Sequence, residues 1–450
     1  MSPFAFWQAT NEALRGIVDY WLASPADAAV LFIPMLLFLE LPYYLLLVAG
    51  VARHQLHRLM HPPRDVPFYP SVSCIITCYS EGEAVKQTLR TLCEQIYPGE
   101  IELLPVIDGA LRNQATYDAI RSFIATEGHR YPNRRIRPVP KWQRGGRVSS
   151  LNAGLSLARG EIVMALDADT SFENDMVAQA SAHFIDPRVC AVSGALAVRN
   201  EQHSLVTHLQ AIEYRLSLML AKVGLSEFNL VNNVSGAFGV FRRSVLETAG
   251  GWNTGSAEDL DMTLRLKQYF RRNGLRIVFE PRAMGYTDAP DTWQAFFKQR
   301  LRWDGDLAYM YLEKHWKAFQ RRLVGGRNLL ILVWGGLLFQ IVSPFVILFY
   351  MLYLLWALPL PVFVAVNLVI TLFYLAIAFV LYLVYLTCIS RQPRRDLPDL
   401  LLLPAFSLFL LVNRLWSAVA LVNEIWRKGH EETSMAPWWV LQRNAKNKDD

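Results

Sequence analysis

The chain has 450 residues, is 53% hydrophobic and carries a formal net charge of +6. It is too apolar for a purely soluble protein, and long enough for one sizeable water-facing domain plus bilayer spans. Its lysines and arginines gather at the flanks of apolar stretches and around one loop, which suits anionic lipid and an anionic substrate and points away from a nucleic-acid partner.

Residues 1–28 read as an N-terminal amphipathic, interfacial segment, because Glu12, Arg15 and Asp19 interrupt the apolar residues from Phe4 to Leu22. Residues 29–51 follow as an uncleaved transmembrane helix interrupted only by Glu40 and Pro42, too far along the chain and too long for a secretion signal. Arg53, His54, His57, Arg58, His61 and Arg64 then mark a cytoplasmic flank, and the positive-inside rule puts the next domain on that side. Cys74, Cys78, Cys93, Cys190 and Cys388 form no C-x-x-C pair and are odd in number, which fits a reduced compartment and neither a zinc site nor a disulfide framework.

From residue 70 the pattern is that of an α/β domain. Residues 71–78 and 102–107 read as buried strands, and 83–95 and 113–126 as helices, so right-handed crossovers and a mostly parallel sheet are expected. Asp108 and Gly109 end the second strand. Lys141-Trp-Gln-Arg-Gly-Gly-Arg147 then leads into a helix; backbone N–H groups there, with Arg144 or Arg147, offer an anion site, although the spacing is not a P-loop.

The segment Glu161-Ile-Val-Met-Ala-Leu-Asp-Ala-Asp-Thr170 runs a short buried strand into two acids. Asp167 and Asp169, two apart in a loop leaving a strand end, can turn toward one ligand, and such oxygens suit Mg²⁺ or Mn²⁺ that also holds phosphate. Residues 189–195 read as a further strand and 205–224 as a long helix. Ser235, Gly236 and Gly239 are small enough for close approach of another chain or of an acceptor. Glu258-Asp259-Leu-Asp261 opens an amphipathic helix to residue 272. Acids there complement the helix dipole, and an Asp near a metal is also the right group to take a proton from a hydroxyl. In Gln299-Arg300-Leu-Arg302-Trp303, helical spacing puts Gln299, Arg302 and Trp303 on one face, with an indole wall for a sugar ring and donors for a diphosphate.

The order Asp108, Asp167-x-Asp169, Glu258-Asp259, Gln299-x-x-Arg302-Trp303 resembles the membrane-bound, processive branch of glycosyltransferase family 2, which includes cellulose, chitin, hyaluronan and poly-N-acetylglucosamine synthases. The resemblance implies an α/β GT-A glycosyltransferase domain, residues 70–303, inserted between transmembrane α-helices. It implies that Tyr79, Glu81, Asp108, Arg147, Asp167, Gln299 and Arg302 meet a UDP-sugar and that Asp167 and Asp169 hold Mg²⁺ or Mn²⁺. Asp259 would be the general base, with Gly236, Glu258 and Trp303 facing the acceptor. The sequence departs from the family at Ser80, where Asn is usual, at Ile107, where a second Asp is usual, and at Arg147, where Lys is common.

Residues 304–328 read as interfacial helices. Apolar stretches at 329–356, 362–389 and 400–422 make 329–424 a region of two to three spans, with Arg391, Arg394 and Arg395 in a cytoplasmic loop. Arg414 lies at membrane depth, where it either lines a wet polymer channel or snorkels. Three C-terminal crossings would leave the basic tail outside, against the charge rule, whereas a gating loop within 425–450 requires it inside.

The expected function is inverting, processive β-glycosyl transfer from UDP-N-acetylglucosamine or UDP-glucose to a growing polysaccharide. The chain would sit in the plasma (inner) membrane with its catalytic domain in the cytoplasm, leaving room for a small membrane or periplasmic partner subunit. The alternative is a single-transfer enzyme acting on a membrane lipid, like a ceramide glucosyltransferase.

Overall fold

The computed structural model describes residues 2–60, 67–254 and 256–428. His61 and Arg64 of the basic flank, and the tail beyond Lys428 with most of the expected gating loop, lie outside them.

Among the described residues nine strands form one sheet: β1 (Val72–Cys78), β2 (Ile101–Asp108), β3 (Arg134–Ile136), β4 (Val139–Lys141), β5 (Ile162–Asp167), β6 (Ser171–Phe172), β7 (Val189–Val198), β8 (Phe238–Arg242) and β9 (Arg276–Thr287). The order is β3-β2-β1-β5-β8-β7-β9-β6, with β4 also on β2. β1 pairs in parallel with β2 and with β5, as helical crossovers require. The expectation of a mostly parallel sheet holds, for β2 also pairs in parallel with β3 and β4, and β7 with β9; β8 inserts antiparallel to both β5 and β7, and β6 runs antiparallel to β9, making the sheet mixed. β1, β2 and β5 are almost wholly buried because both faces are covered, one by helices such as Val85–Cys93 and Gln114–Thr126, the other by α1 (Gly146–Leu157) and the helices that follow. Two further helices carry the expected motifs, α2 (Glu258–Asn273) and α3 (Trp293–Ala308).

Among the described residues four helices are long and apolar enough to cross a membrane: Leu36–Met60, Gly326–Ala357, Leu360–Cys388 and Pro393–Arg427. The first is offset from the expected 29–51: Pro25–Phe32 is a separate helix, and a π-helical turn, Leu36–Glu40, precedes Leu41–Met60. The N-terminal helix Pro3–Ala23 packs on Leu360–Cys388, with Trp21 4.8 Å from Phe373. The apolar helices are continuous with the sheet's core, for Leu47, Val51, Tyr382 and Phe406 join one cluster with Ile75 and Val163. At Gly50 the first apolar helix meets Gly224 backbone to backbone; a Cβ on Gly50 would lie 2.2 Å from the Gly224 carbonyl oxygen.

The loop between the third and last apolar helices meets the sheet domain. Arg215 pairs with Asp399 and lies 3.3 Å from Asp396, and His208 lies 2.8 Å from Asp399. The last helix then runs beside α3: Trp416 Nε1–H donates to the Phe297 carbonyl (2.9 Å), Ser417 Oγ–H to Asp304 (2.7 Å), and Glu424 packs against Gly305.

Candidate active site

A cavity of about 220 Å³ opens where β1, β2 and β5 end, bounded by Thr77, Tyr79, Glu81, Asp108, Arg144, Arg147, Asp167 and Asp169. A parallel sheet presents its carboxyl-end loops at one edge, which is why residues far apart in sequence meet there. Tyr79 is exposed, and the Arg144 guanidinium lies 4.3 Å over its ring. Ser80 turns the chain at φ +68° while its N–H donates to Asn113 Oδ1 (3.1 Å). Burial, with Asp169 and Asp167 opposite, raises the Glu81 carboxyl, and its Oε2 has no hydrogen-bond partner.

Asp108 differs from expectation in an instructive way. The N–H groups of Gly145 (2.8 Å) and Gly146 (2.9 Å), together with Lys141 Nζ (2.7 Å), donate to its carboxylate. The glycine-rich turn does bind an anion, but the anion is the chain's own Asp108, so these two N–H groups are not free for phosphate. Asp108 borders the pocket and fixes the start of α1.

That anchorage points Arg147 into the centre. Its guanidinium pairs with Asp167 and with Glu258 and donates to Thr77 Oγ1 (2.8 Å) and to the Gly236 carbonyl (2.6 Å). Burial works against the charge, but Asp167 and Glu258 outweigh it and hold Arg147 firmly protonated. Asp169 is exposed at the rim, where Thr170 Oγ1–H donates to it (3.2 Å). With the orphaned Glu81 oxygen, the two aspartates make an oxygen-rich, acidic pocket that fits a hard divalent cation. Among the described residues, the His/Cys/Asp/Glu group whose ligand atoms already lie within 4.8 Å of one another is elsewhere: Glu201, His208 and Asp399. Arg215 supplies the positive charge there, so that cluster is an ion-pair joint between domain and helices.

Asp259 sits in the first turn of α2. One oxygen accepts from Leu260 N–H (2.7 Å), the other from Asn233 Nδ2–H (3.0 Å) and Gly236 N–H (3.2 Å). These three donors fix its direction, and Gly236 links it to Arg147 through the opposite side of the same peptide segment. Glu258 beside it is buried, which raises its carboxyl against the pull of Arg147.

Gln299, Arg302 and Trp303 line one much larger cavity of about 1030 Å³, as their shared helix face requires. Asp167, Asp169, Gly236, Glu258 and Asp259 border its catalytic end; Glu40, Gln340, Tyr374 and Arg414 border the end among the apolar helices. Gln299 Oε1 is buried without a partner, while Trp303 remains 36% exposed. Arg414 does not snorkel to a surface: it lines the cavity and donates to the Phe339 carbonyl (2.8 Å).

Several cavity residues escaped the sequence reading. Lys222 and Glu213 sat inside what read as a plain long helix, and Glu40 read only as an interruption of a span. A charged residue interrupting an apolar period was the available signal. The cavity wall is also where helices widen, at the π-helical turns Leu36–Glu40, Tyr214–Leu220, Tyr309–Lys314 and Leu332–Val342.

A curled mixed sheet with its acids at one edge, and a cavity closed by an aromatic-basic helix, define a GT-A-type glycosyltransferase fold. Residues 162–389 match the family described as Glycosyl transferase family group 2, and residues 73–250 match Glycosyl transferase family 2. The chain belongs to glycosyltransferase family 2. It is similar to a poly-beta-1,6-N-acetyl-D-glucosamine synthase of Staphylococcus epidermidis, 29% identical over 253 residues, which are 56% of this chain and 58% of that one. A probable glycosyltransferase of Bacillus subtilis, YdaM, is 26% identical over 298 residues, 64% of this chain and 69% of its own. The chain thus spans less than two thirds of the first relative's length. A solved mannosyltransferase from Pyrobaculum calidifontis, in complex with GDP-Man and Mn²⁺, shares the fold with a TM-score of 0.53 at 20% identity, over 86% of this chain and 96% of that one.

Proposed function

We propose that this membrane protein is an inverting, processive β-glycosyltransferase that polymerises a UDP-sugar and passes the product along its own cavity into the membrane region. One observation carries this reading: the cavity that begins at Asp259 and Trp303 continues without interruption to Glu40, Tyr374 and Arg414 among the apolar helices. The relatives named as poly-N-acetylglucosamine synthases support a polymer product, with UDP-N-acetylglucosamine as first donor and UDP-glucose second. Acids outnumber cations along the cavity wall, which repels a chain of uronates and disfavours a hyaluronan-like product.

In this reading the uracil end of the donor lies against Tyr79 and Arg144, and Gln299 and Arg302 hold the diphosphate. Asp167 and Asp169 would hold Mg²⁺ or Mn²⁺, which when bound offsets charge on the leaving diphosphate. Arg147 must then share Asp167, and its remaining partners Glu258 and Gly236 keep it in place. Trp303 supports the acceptor sugar. The acceptor hydroxyl oxygen bonds to the anomeric carbon from the face opposite the diphosphate, its proton passes to Asp259, and the anomeric C–O bond to the diphosphate breaks, inverting the centre. The catalytic domain faces the cytoplasm from the plasma membrane, beside the basic flank at Arg53 and Arg58.

A second reading, one transfer to a membrane lipid, is favoured by the apolar far wall of the same cavity, where Ile33, Ile347 and Ile370 would suit an acyl chain. The test is UDP release by detergent-held protein from several UDP-sugars with Mg²⁺ or Mn²⁺, with products sized on a gel and Asp259→Asn as control. A ladder absent in the variant is expected. One sugar on lipid would replace the polymer reading, and unchanged turnover by Asp259→Asn would end the assignment of the base.

A further inference from the structure

Arg300 sits one helical turn before Trp303, between two residues with assigned roles, and has none itself. Its guanidinium lies 4.7 Å from the centroid of the Trp303 ring and 5.0 Å from that of Phe296. The arginine is 8% exposed, and its NH2 group donates to Glu213 Oε2 at 2.5 Å. Phe296 is fully buried and packs 5.1 Å from Phe409 of the last apolar helix. The rings and the guanidinium therefore form a column fixed at its buried end by Phe409, tied at its middle by Glu213, and ending at the cavity with the indole.

A helix-borne tryptophan left alone exchanges rotamers, and a sugar stacked on it would move with the ring. A planar guanidinium can lie flat against an indole, which an ammonium cannot do, and the Glu213 pair holds that plane in one place. Burial makes the pair costly to break, for removing either partner leaves the other charge stranded.

We propose that Arg300 is a positioning residue for the acceptor, fixing the plane of Trp303 so that the terminal sugar presents its hydroxyl to Asp259. The proposal rests on the reading of Trp303 as the acceptor wall. Where the acceptor is badly held, water takes its place: the water oxygen bonds to the anomeric carbon, its proton goes to Asp259, the bond to the diphosphate breaks, and free sugar is released with UDP. The ratio of UDP released to sugar incorporated is thus the direct readout.

The experiment uses the full chain in detergent with UDP-N-acetylglucosamine or UDP-glucose, whichever turns over, and compares wild type with Arg300→Lys, Glu213→Gln and Trp303→Ala. Arg300→Lys preserves the charge beside Glu213 and loses only the guanidinium 4.7 Å from the indole centroid. It is expected to lower incorporation about tenfold, in line with small misplacements of a reacting group, to raise the ratio and shorten the product, and to leave the KM for donor essentially unchanged. Glu213→Gln is expected to raise the ratio less, because the stack survives. A wild-type ratio in Arg300→Lys overturns the proposal, as does a fall of UDP release and incorporation in step, which is how a purely structural defect behaves. Trp303→Ala separates the two claims: a raised ratio there with a wild-type ratio in Arg300→Lys sinks only the positioning role, whereas no change in Trp303→Ala sinks the acceptor wall itself.

Discussion

Replacing Lys222 by Met should make the protein more stable, and the gain should depend on pH. The side chain is 6% exposed, its amine donates to Ser193 Oγ at 3.3 Å, and it lies 6.0 Å from the Phe279 ring. Burial pushes the amine from 10.5 down to about 8, against the carboxylate of Asp259, which pulls it up. At about 1.36 kcal/mol per pKa unit, the protonated amine costs the fold on the order of 3 kcal/mol. The folded-state value lies below the unfolded one, so the cost is full below pH about 8, fades as the folded protein sheds its proton first, and is gone above about 10.5. Met keeps the length and apolar stem, and the loss of one neutral acceptor contact costs about 1 kcal/mol. Ser193 Oγ still accepts from Ser235 N–H at 3.2 Å. A net gain of about 2 kcal/mol is expected at pH 7, read as a higher midpoint in thermal unfolding of the detergent-held protein followed by tryptophan fluorescence. A Met variant no more stable than wild type at pH 7, or a gain that persists unchanged to pH about 10.5, would refute the reasoning.

Other consequences follow from single contacts. In Gly236→Ala the new Cβ would sit 3.3 Å from Glu258 Oε1 and 3.4 Å from Asp259 Oδ2, so the Glu258 and Asp259 carboxylates must give by a few tenths of an ångström. About a tenfold loss of kcat with little change in donor KM is expected from steady-state UDP release, and an unaltered kcat would mean that the segment is not rigid. Gly50→Val should separate the first apolar helix from Gly224 and lower the thermal midpoint by several degrees, since the Cβ would lie 2.2 Å from a carbonyl oxygen. Asp306, raised by burial to about 7 while accepting from Ser256 Oγ–H (2.6 Å), is an acid whose folded value exceeds its unfolded one. It therefore costs stability as pH rises from about 4 through 7, and Asp306→Asn should stabilise the protein more at pH 8 than at pH 5 in the same unfolding assay.

Much of this geometry was written in local pattern. β5 could be read because five apolar residues, Ile162 to Leu166, run directly into Asp167 and Asp169. The common face of Gln299, Arg302 and Trp303 follows from 3.6 residues per turn alone. Pairing was harder: nothing near residues 238–242 says that this strand inserts antiparallel between β5 and β7, because partner choice is decided by chain segments 46 to 80 residues away. The glycine turn at 145–146 was legible as an anion site, yet the identity of the anion depended on the distance between β2 and α1 in space. Helix interruptions were illegible for a related reason. The π-helical turn at Tyr214–Leu220 leaves composition untouched and arises where the helix wall bends around the cavity.

The packing of the last apolar helix bears on the side of the membrane on which the tail emerges. A helix of 25 residues, Leu403–Arg427, is about 37 Å long and could cross a bilayer, in which case its ends would lie on opposite faces. Instead both ends meet the catalytic domain. Just before it, Asp399 is held by Arg215 and His208; near its end, Leu421 packs in one cluster with Leu260 and Leu264 of α2, and Glu424 against Gly305. We propose that a helix so held lies along the membrane face beneath the active site, with Arg414 at its middle turned to the Phe339 carbonyl and the cavity. On this proposal three of the four apolar helices would cross, and Arg427 and Lys428 would fall on the catalytic side, as the charge rule prefers. With Cys388 replaced by Ser, the variants Lys428→Cys and Arg394→Cys should react with an impermeant maleimide from the same side, and Pro359→Cys, at the turn between the second and third apolar helices, from the other. Labelling of Lys428→Cys together with Pro359→Cys would show that the last helix crosses, and the continuous core it shares with α2 would then have to open in the membrane.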